Sequence, residues 1–181
     1  MKPLSLTLKN FGPYINEIID FTKFEDSSLF LISGKTGSGK TTIFDGMSYA
    51  LFGESSGKLR LVKEMRSTFA DPSEATEVTL LFKHNEYLYE LNRLPEQELF
   101  KKRGTGVRKQ SAKISLIVKD AQGKELRSYS KRREVDELIQ ELLHLNANQF
   151  AQIVLLPQGE FRTFLIAKSD EKEKVLRNLF G

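Results

Sequence analysis

The N-terminal stretch alternates apolar and polar residues, which is typical of a half-buried β-strand. Leucine occupies every second position from 4 to 8, and Gly12-Pro13 ends the run. Residues 15–21 predict a returning strand that pairs with the first. The apolar run at 28–33, bounded by polar residues and a glycine, predicts a buried central strand.

Two later pairs of alternating segments predict β-hairpins over residues 78–91 and 114–129. Asn85 suits the first turn, and the second turn falls at 120–123. Residues 95–110, between the hairpins, are polar, contain two glycines and carry a basic cluster. We interpret that stretch as a long mobile loop.

After Ser130 the apolar spacing changes from a period of two to a period of 3.6, which predicts a helix with one apolar face over residues 135–143. A second helix is expected from Asn146, where Gln149 stands three positions on and completes a capping box. A third is expected from Ser169, with acidic residues near its positive end.

Length and composition restrict the class of protein. The chain has 181 residues, of which 39% are hydrophobic and 29% charged, as in a single globular domain with its own core. It has no cysteine and only two histidines, which excludes thiolate zinc sites, iron–sulfur clusters and a cysteine nucleophile. No apolar run approaches the roughly 18 residues of a membrane helix, so we expect no membrane partner and a cytoplasmic location.

The segment GKTGSGKT at residues 34–41 fits the phosphate-loop pattern G-x-x-x-x-G-K-[ST] and lies between a predicted strand and a predicted helix that ends at Gly53. Glycines let backbone N–H groups approach phosphate oxygens, and the helix N-terminus adds partial positive charge. Lys40 is expected to reach the β- and γ-phosphates of a nucleotide, and Thr41 to bind Mg²⁺. The predicted nucleotide-binding residues are Gly34, Lys35, Thr36, Gly37, Ser38, Gly39, Lys40, Thr41 and Thr42. The alternative, a glycine-rich turn that binds nothing, leaves the lysine unexplained.

Hydrolysis of a nucleotide requires a further acidic residue, which usually ends an apolar strand. Asp120 is the one lookalike, and we reject it because Lys119 interrupts the apolar run and Gly123 continues a hairpin turn. The chain is therefore expected to hold a nucleoside triphosphate, with the missing acid supplied by another polypeptide segment.

Several stretches together resemble the N-terminal half of the SbcC family, ABC-type ATPases of the SMC-like DNA-repair group. In chain order they are LKNFGPY at 8–14, the phosphate loop, DGMSYALFG at 45–53, RSTFA at 66–70, RLPEQ at 93–97, KKRGTG at 101–106 and LPQGEF at 156–161. The resemblance covers essentially the whole chain, and the glutamine-glycine segment is its most restrictive part.

The resemblance implies an α/β fold, the N-terminal lobe of an ABC-type P-loop ATPase head. Residues 1–145 would form a β-rich nucleotide-binding part with a mixed sheet and the P-loop helix. Residues 146–181 would form a helical part that leads toward a coiled coil. In this family the glutamine of the glutamine-glycine segment, here Gln158, contacts Mg²⁺ and the attacking water, so Lys40 and Gln158 are the implied catalytic residues.

The resemblance also implies partners. The acidic strand and signature loop of such ATPases lie in a C-terminal lobe, which would complete the site around ATP. A second head would dimerise with the first when ATP binds, and the closure would regulate an SbcD-like nuclease acting on double-stranded DNA. A cytoplasmic, nucleoid-associated location follows from the same resemblance.

A basic cluster in the middle of the chain is a candidate DNA contact, because its cations have no acidic residue between them. It comprises Lys101, Lys102, Arg103, Arg108 and Lys109, with Lys113 close behind. Residues 131–133 are a second candidate. Ordinary solvated charge is the alternative interpretation for both.

Two other functions remain open at this point. A compact P-loop kinase of a small metabolite would also begin with a strand, a phosphate loop and a helix, and residues 95–113 would serve as its lid. A non-hydrolytic DNA-binding module would use ATP only to set its shape.

Overall fold

In the computed structural model, which describes residues 1–24, 32–56 and 62–154, six antiparallel strands form one sheet and two more form a small hairpin. The strands are β1 (Lys2–Phe11), β2 (Tyr14–Asp20), β3 (Glu77–His84), β4 (Tyr87–Leu94), β5 (Gln97–Phe100), β6 (Val107–Gln110), β7 (Lys113–Lys119) and β8 (Glu125–Tyr129). The helices are α1 (Lys40–Phe52), α2 (Arg132–Leu143) and α3 (Ala147–Val154), with short 3₁₀ turns at Thr22–Phe24 and Val62–Met65.

The sheet follows the order β2-β1-β3-β4-β7-β8 and buries one face under helix α1. Four leucines at paired positions, Leu6, Leu80, Leu91 and Leu116, form a fully buried row across its four central strands. The helix approaches closely because Gly46 has no side chain, and a Cβ there would lie 2.5 Å from Leu8 Cδ2. The alternating sequence pattern thus yields one apolar face, as predicted.

Helices α2 and α3 extend the core beyond the sheet. Val135 and Ile139 of α2 are buried, and the Phe150 ring of α3 packs 5.4 Å from the Phe52 ring at the end of α1. The predicted capping box at the start of α3 is present: the Gln149 N–H donates to Asn146 Oδ1 at 2.9 Å, and the Asn146 N–H donates to Gln149 Oε1 at 3.0 Å. The two predicted hairpins and the first strand pair are also confirmed.

The prediction of a long mobile loop over residues 95–110 is wrong. Strands β5 and β6 pair there, with Phe100 opposite Val107. Leu99 is fully buried, and the Phe100 N–H donates to the Pro72 carbonyl at 3.0 Å. The glycines that suggested a loop form only the tip of this hairpin, where their φ angles are positive.

Three predictions concern residues outside the described part of the chain. They are most of the central strand at 28–33, the helix after Ser169, and the position of Gln158. The last two residues of that strand, Ile32 and Ser33, are described and have no regular secondary structure. The division of the chain at residue 145 stays a prediction.

Candidate functional site: the phosphate loop and its supports

The predicted phosphate loop joins directly to helix α1, which begins at Lys40. Gly37 and Gly39 have φ angles of 84° and 86°, in the left-handed region that other residues rarely adopt. Gly39 is the N-cap residue of α1, and with no side chain it cannot cap the helix. The first N–H groups of α1 therefore stay available to an anionic ligand.

The Lys40 ammonium group folds back over its own loop. Lys40 Nζ donates to the Gly34 carbonyl at 2.7 Å and to the Lys35 carbonyl at 2.8 Å. A backbone hydrogen bond also spans the loop, from the Ser38 N–H to the Lys35 carbonyl at 3.2 Å. The Lys40 cation is thus held by loop carbonyls that a stronger acceptor such as phosphate can replace.

The two threonines after Lys40 differ in their surroundings. Thr41 is exposed, so its hydroxyl is accessible to a metal ion. Thr42 is buried, and its methyl group packs against Gly12, where a Cβ would collide with Thr42 Cγ2. Of these two threonine side chains, only that of Thr41 is accessible to a ligand from solvent.

The turn between β1 and β2 contacts the phosphate loop from one side. The Tyr14 hydroxyl donates to the Gly39 carbonyl at 3.2 Å. A Cβ on Gly39 would lie 2.7 Å from both Pro13 Cγ and Tyr14 Oη. Burial, helped by the Glu17 carboxylate, raises the pKa of Tyr14, so its hydroxyl stays protonated.

This turn is fixed from behind by segment 65–67. The Gly12 N–H donates to the Met65 carbonyl at 2.6 Å, and the Ser67 N–H donates to the Asn10 carbonyl at 2.9 Å. Phe11 is fully buried and stacks on Tyr49 of α1, with ring centroids 6.1 Å apart. The motif LKNFGPY is therefore a structural bridge between the sheet and the phosphate loop.

Arg66, in the middle of that segment, connects it to the β5–β6 hairpin. Its guanidinium donates to the Asp71 carbonyl at 2.9 Å and to Gln97 Oε1 at 3.3 Å. Burial lowers the pKa of Arg66. The Gln97 Oε1 also accepts the Thr76 N–H at 2.8 Å, so one side chain serves both partners.

The opposite end of α1 is held by Arg93 of β4. Its side chain is 5% exposed; Nε donates to the Ala50 carbonyl at 2.6 Å and Nη2 to the Leu51 carbonyl at 3.0 Å. Nη2 also contacts Asp136 Oδ1 of α2 at 2.5 Å. Tyr89, Leu91 and Arg93 alternate along β4 and lie on its buried face. This alternation is the sequence signal that could have identified Arg93 as an interior cation.

The predicted basic cluster lies on the β5–β6 hairpin, and its cations are not equivalent. Lys102 pairs with Glu74 at 2.6 Å, and Lys109 pairs with Glu96 at 2.9 Å. Arg108 donates to Gln110 Oε1 at 3.2 Å. Lys101 and Arg103 at the tip are exposed and have no ion pair within the described ranges.

In the second basic candidate, residues 131–133, each cation pairs with an acidic residue. Lys131 pairs with Glu134, Arg132 with Asp136 and Arg133 with Glu137, all within the first turns of α2. These pairs account for three cations at a helix N-terminus, where the helix dipole alone would disfavour them.

The rejected acid, Asp120, lies in the β7–β8 turn. Its Oδ1 accepts the N–H groups of Gln122 and Lys124 at 3.0 and 2.9 Å, and its carbonyl accepts the Gly123 N–H. Asp120 is therefore committed to its turn. Within residues 1–24, 32–56 and 62–154, no three His, Cys, Asp or Glu side chains come together as a metal site.

The sheet packed on α1 and the phosphate loop at the start of that helix define an α/β P-loop NTPase lobe. A family model described as "AAA domain" matches residues 5–181, and the chain belongs to this family. Membership implies nucleotide binding. Among the described residues, no helix is long and apolar enough to cross a membrane.

Two curated relatives confirm the predicted similarity to SbcC. The chain is 47% identical over 184 residues to the SbcC subunit of the nuclease SbcCD from Lactococcus lactis subsp. lactis (strain IL1403), covering 100% of this chain. It is 47% identical over 180 residues to the protein of the same name from Staphylococcus aureus (strain JH9), covering 99% of this chain. It spans 17% of the length of each relative.

One solved structure, described as "Structural biochemistry of ATP-driven dimerization and DNA stimulated activation of SMC ATPases", covers 99% of both chains at 17% identity. Its TM-score is 0.46, a likeness too weak to bear on fold or function.

Proposed function

We propose that this protein is the ATP- and Mg²⁺-binding N-terminal lobe of an SbcC-like ATPase head. The observation that carries the proposal is the phosphate loop, in which Lys40 lies over the loop carbonyls and the first N–H groups of α1 are uncapped. The family match and the 47% identity to SbcC subunits of the nuclease SbcCD support the particular class of ATPase.

When the nucleotide binds, Lys40 exchanges its two carbonyl acceptors for β- and γ-phosphate oxygens. The backbone N–H groups of residues 34–42 hold the phosphates. The exposed Thr41 hydroxyl would be a ligand to Mg²⁺, whose charge would offset that of the phosphates. Gln158 would supply a further oxygen to Mg²⁺ and would orient the attacking water, as the resemblance implies. This division of roles requires no carboxylate from the chain itself.

Hydrolysis requires an acidic residue from a C-terminal lobe of the same ATPase. The complete head, formed by both lobes, pairs with a second head across ATP. Closure of the two heads controls an SbcD-like nuclease in the cytoplasm, at the nucleoid. The commitment of Asp120 to its turn supports this assignment. Asp45 is likewise occupied, because its Oδ1 accepts both the Ser56 N–H and the Ser56 hydroxyl.

The test is Mg-ATP affinity, measured by isothermal titration calorimetry. Lys40→Ala should weaken binding about 100-fold, since each charge-assisted hydrogen bond contributes about 1.5–3 kcal/mol. Lys124→Ala, which removes an exposed lysine from the β7–β8 turn, is the matched control and should bind as the unmodified protein does. Equal affinity of the Lys40→Ala variant would contradict the proposal.

ATP hydrolysis tests whether the acidic residue comes from the C-terminal lobe. The protein alone should not release phosphate from ATP, whereas a mixture with a separately produced C-terminal lobe should, and Lys40→Ala should abolish that activity. Phosphate release by the protein alone would show that it contains its own acid, and the ATPase-lobe assignment would fail.

The exposed cations at the β5–β6 tip are proposed to contact DNA phosphates without regard to sequence. The ion pairs of Lys102 and Lys109 support a smaller contact than the five predicted residues suggest, with Lys101 and Arg103 foremost and Arg108 beside them. For duplex DNA, log affinity falls as log salt concentration rises. The double variant Lys101→Gln with Arg103→Gln should make this slope less steep by about 2. Lys124→Gln with Arg127→Gln is the charge-matched control, and equal slopes for both double variants would refute the contact.

The kinase alternative loses its main support. It required residues 95–113 as a lid, and this stretch is a hairpin anchored by buried Leu99 and by the Phe100 N–H bond to Pro72. The family match and the relatives also favour an SbcC-like lobe over either alternative.

A further inference from the structure

We infer that Tyr14 is a positioning residue of the phosphate loop, whose hydroxyl holds the Gly39 carbonyl and so sets the direction of the Lys40 N–H. The inference rests on the proposed nucleotide binding and adds a residue outside the phosphate-loop pattern. Tyr14 belongs to strand β2, 25 residues before Gly39.

The contact between Tyr14 and the loop is direct. The hydroxyl donates to the Gly39 carbonyl oxygen at 3.2 Å. The surrounding space is also closed, since a Cβ on Gly39 would lie 2.7 Å from Tyr14 Oη and 3.0 Å from Tyr14 Cζ. The loop backbone therefore rests against the phenol ring.

The geometry of the peptide unit makes this contact functional. The Gly39 carbonyl and the Lys40 N–H belong to one planar trans peptide and point in opposite directions. Fixing the carbonyl against Tyr14 therefore fixes the N–H on the other side. That N–H is the first of helix α1, where a bound phosphate would find its donors.

The same carbonyl also closes the first turn of α1, because it accepts the Ile43 N–H at 3.3 Å. That bond is long for a helical hydrogen bond. The Tyr14 hydroxyl is thus a second donor to an oxygen that α1 holds weakly. It stabilises one orientation of a peptide whose glycine, at φ 86°, has no side chain of its own to restrict it.

Tyr14 can act as a fixed support because its own position does not depend on the loop. It pairs with Phe11 at the end of the β1–β2 hairpin, and Phe11 is fully buried against Tyr49. The Gly12 N–H bond to the Met65 carbonyl anchors the turn between them. The phenol of Tyr14 therefore connects the rigid core of the protein to the loop.

The test compares the Tyr14→Phe variant with the unmodified protein. The variant keeps the ring and loses only the hydroxyl, so its melting temperature without nucleotide should stay within about 2 °C of the unmodified protein. Its affinity for Mg-ATP should fall about 5-fold, as expected for one neutral hydrogen bond. The rise in melting temperature caused by Mg-ATP should shrink accordingly. Tyr87→Phe, at an exposed position on β4, is the matched control and should change neither quantity.

The outcomes separate the two claims. If the unmodified protein and the Lys40→Ala variant bind Mg-ATP equally, the proposed function fails. If Lys40→Ala loses binding but Tyr14→Phe binds within about 1.5-fold of the unmodified protein, only the positioning role fails. A Tyr14→Phe variant that melts several degrees lower without nucleotide would also overturn it, since the hydroxyl would then stabilise the fold.

Discussion

Helix α1 has a glycine in the left-handed conformation at each end, yet the backbone groups at the two ends differ in their hydrogen-bond partners. At the C-terminal end, the Gly53 N–H donates to the Tyr49 carbonyl at 2.8 Å, and Arg93 binds the next two carbonyls. At the N-terminal end, Gly39 offers no capping side chain, and only its carbonyl is held, by Tyr14.

The difference separates structure from function within one helix. A helix end leaves its last N–H or C=O groups without partners, and a protein normally satisfies them internally. The C-terminal end follows that rule through a buried cation that also reaches Asp136 of α2. The N-terminal end leaves donors for a ligand, which is the use we propose for them.

The largest expected effect comes from removing the C-terminal support. Arg93→Met leaves the Ala50 and Leu51 carbonyls without their donor, while the partly exposed Asp136 keeps its pair with Arg132, so the free energy of unfolding should fall by about 2–4 kcal/mol. Urea denaturation measures the loss, with exposed Arg127→Met as the control. Under native conditions the folded fraction should still bind Mg-ATP, which keeps the two ends distinct. A loss below about 1 kcal/mol would mean that Arg93 is dispensable.

A smaller effect should appear at high pH. Burial raises the pKa of Tyr49 to about 12, from 10.0, and the nearby Arg93 and Arg132 oppose the shift only in part. The unfolded chain ionises this phenol first, so its contribution to stability is complete below pH 10 and is lost between pH 10 and about 12. The loss is at most about 2–3 kcal/mol.

Tyr49→Phe should therefore flatten the fall in stability over that pH range, relative to the unmodified protein. The measurement is the urea midpoint at about pH 9, 10 and 11, which is roughly one pH unit below and above the ordinary pKa of a tyrosine phenol. Parallel pH profiles for the two proteins would contradict the assignment.

The smallest effect comes from the same substitution at both ends of α1. Gly53→Ala should cost about 1 kcal/mol of stability, because its φ is 74° and its Cβ would lie 3.1 Å from Arg93 Nη1. Gly39→Ala has a similar backbone cost, but its Cβ would also displace Pro13 and Tyr14, so Mg-ATP affinity should fall further than stability. If both variants lose only stability, the two ends are not functionally different.

The local pattern predicts most of the described elements. Leucine at every second position indicates β1, and the change of period after Ser130 indicates α2. Asn146 and Gln149 mark the start of α3 through hydrogen bonds made within four residues. Each of these signals depends on neighbours in sequence, so no knowledge of the fold is required.

The β5–β6 hairpin and the two side chains that support α1 depend instead on residues far away in the sequence. The polar residues and glycines of this stretch give no strand pattern. The contact that anchors it, from the Phe100 N–H to the Pro72 carbonyl, joins residues 28 positions apart. The alternation in β4 places Arg93 on the buried face, but no local signal identifies Tyr14 or Arg93 as a support of α1. Their acceptors lie 25 and 42 or more residues away.

The phosphate loop can be inferred from the order of residues alone, since the glycines, Lys40 and Thr41 act through a local backbone curve that their own spacing specifies. The same holds for the strands and helices that carry their apolar faces in strict periods. Which end of α1 is closed and which is left open depends instead on the folded chain. That distinction rests on side chains such as Arg93 and Tyr14, whose contacts exist only when distant strands pair and bring them to the helix.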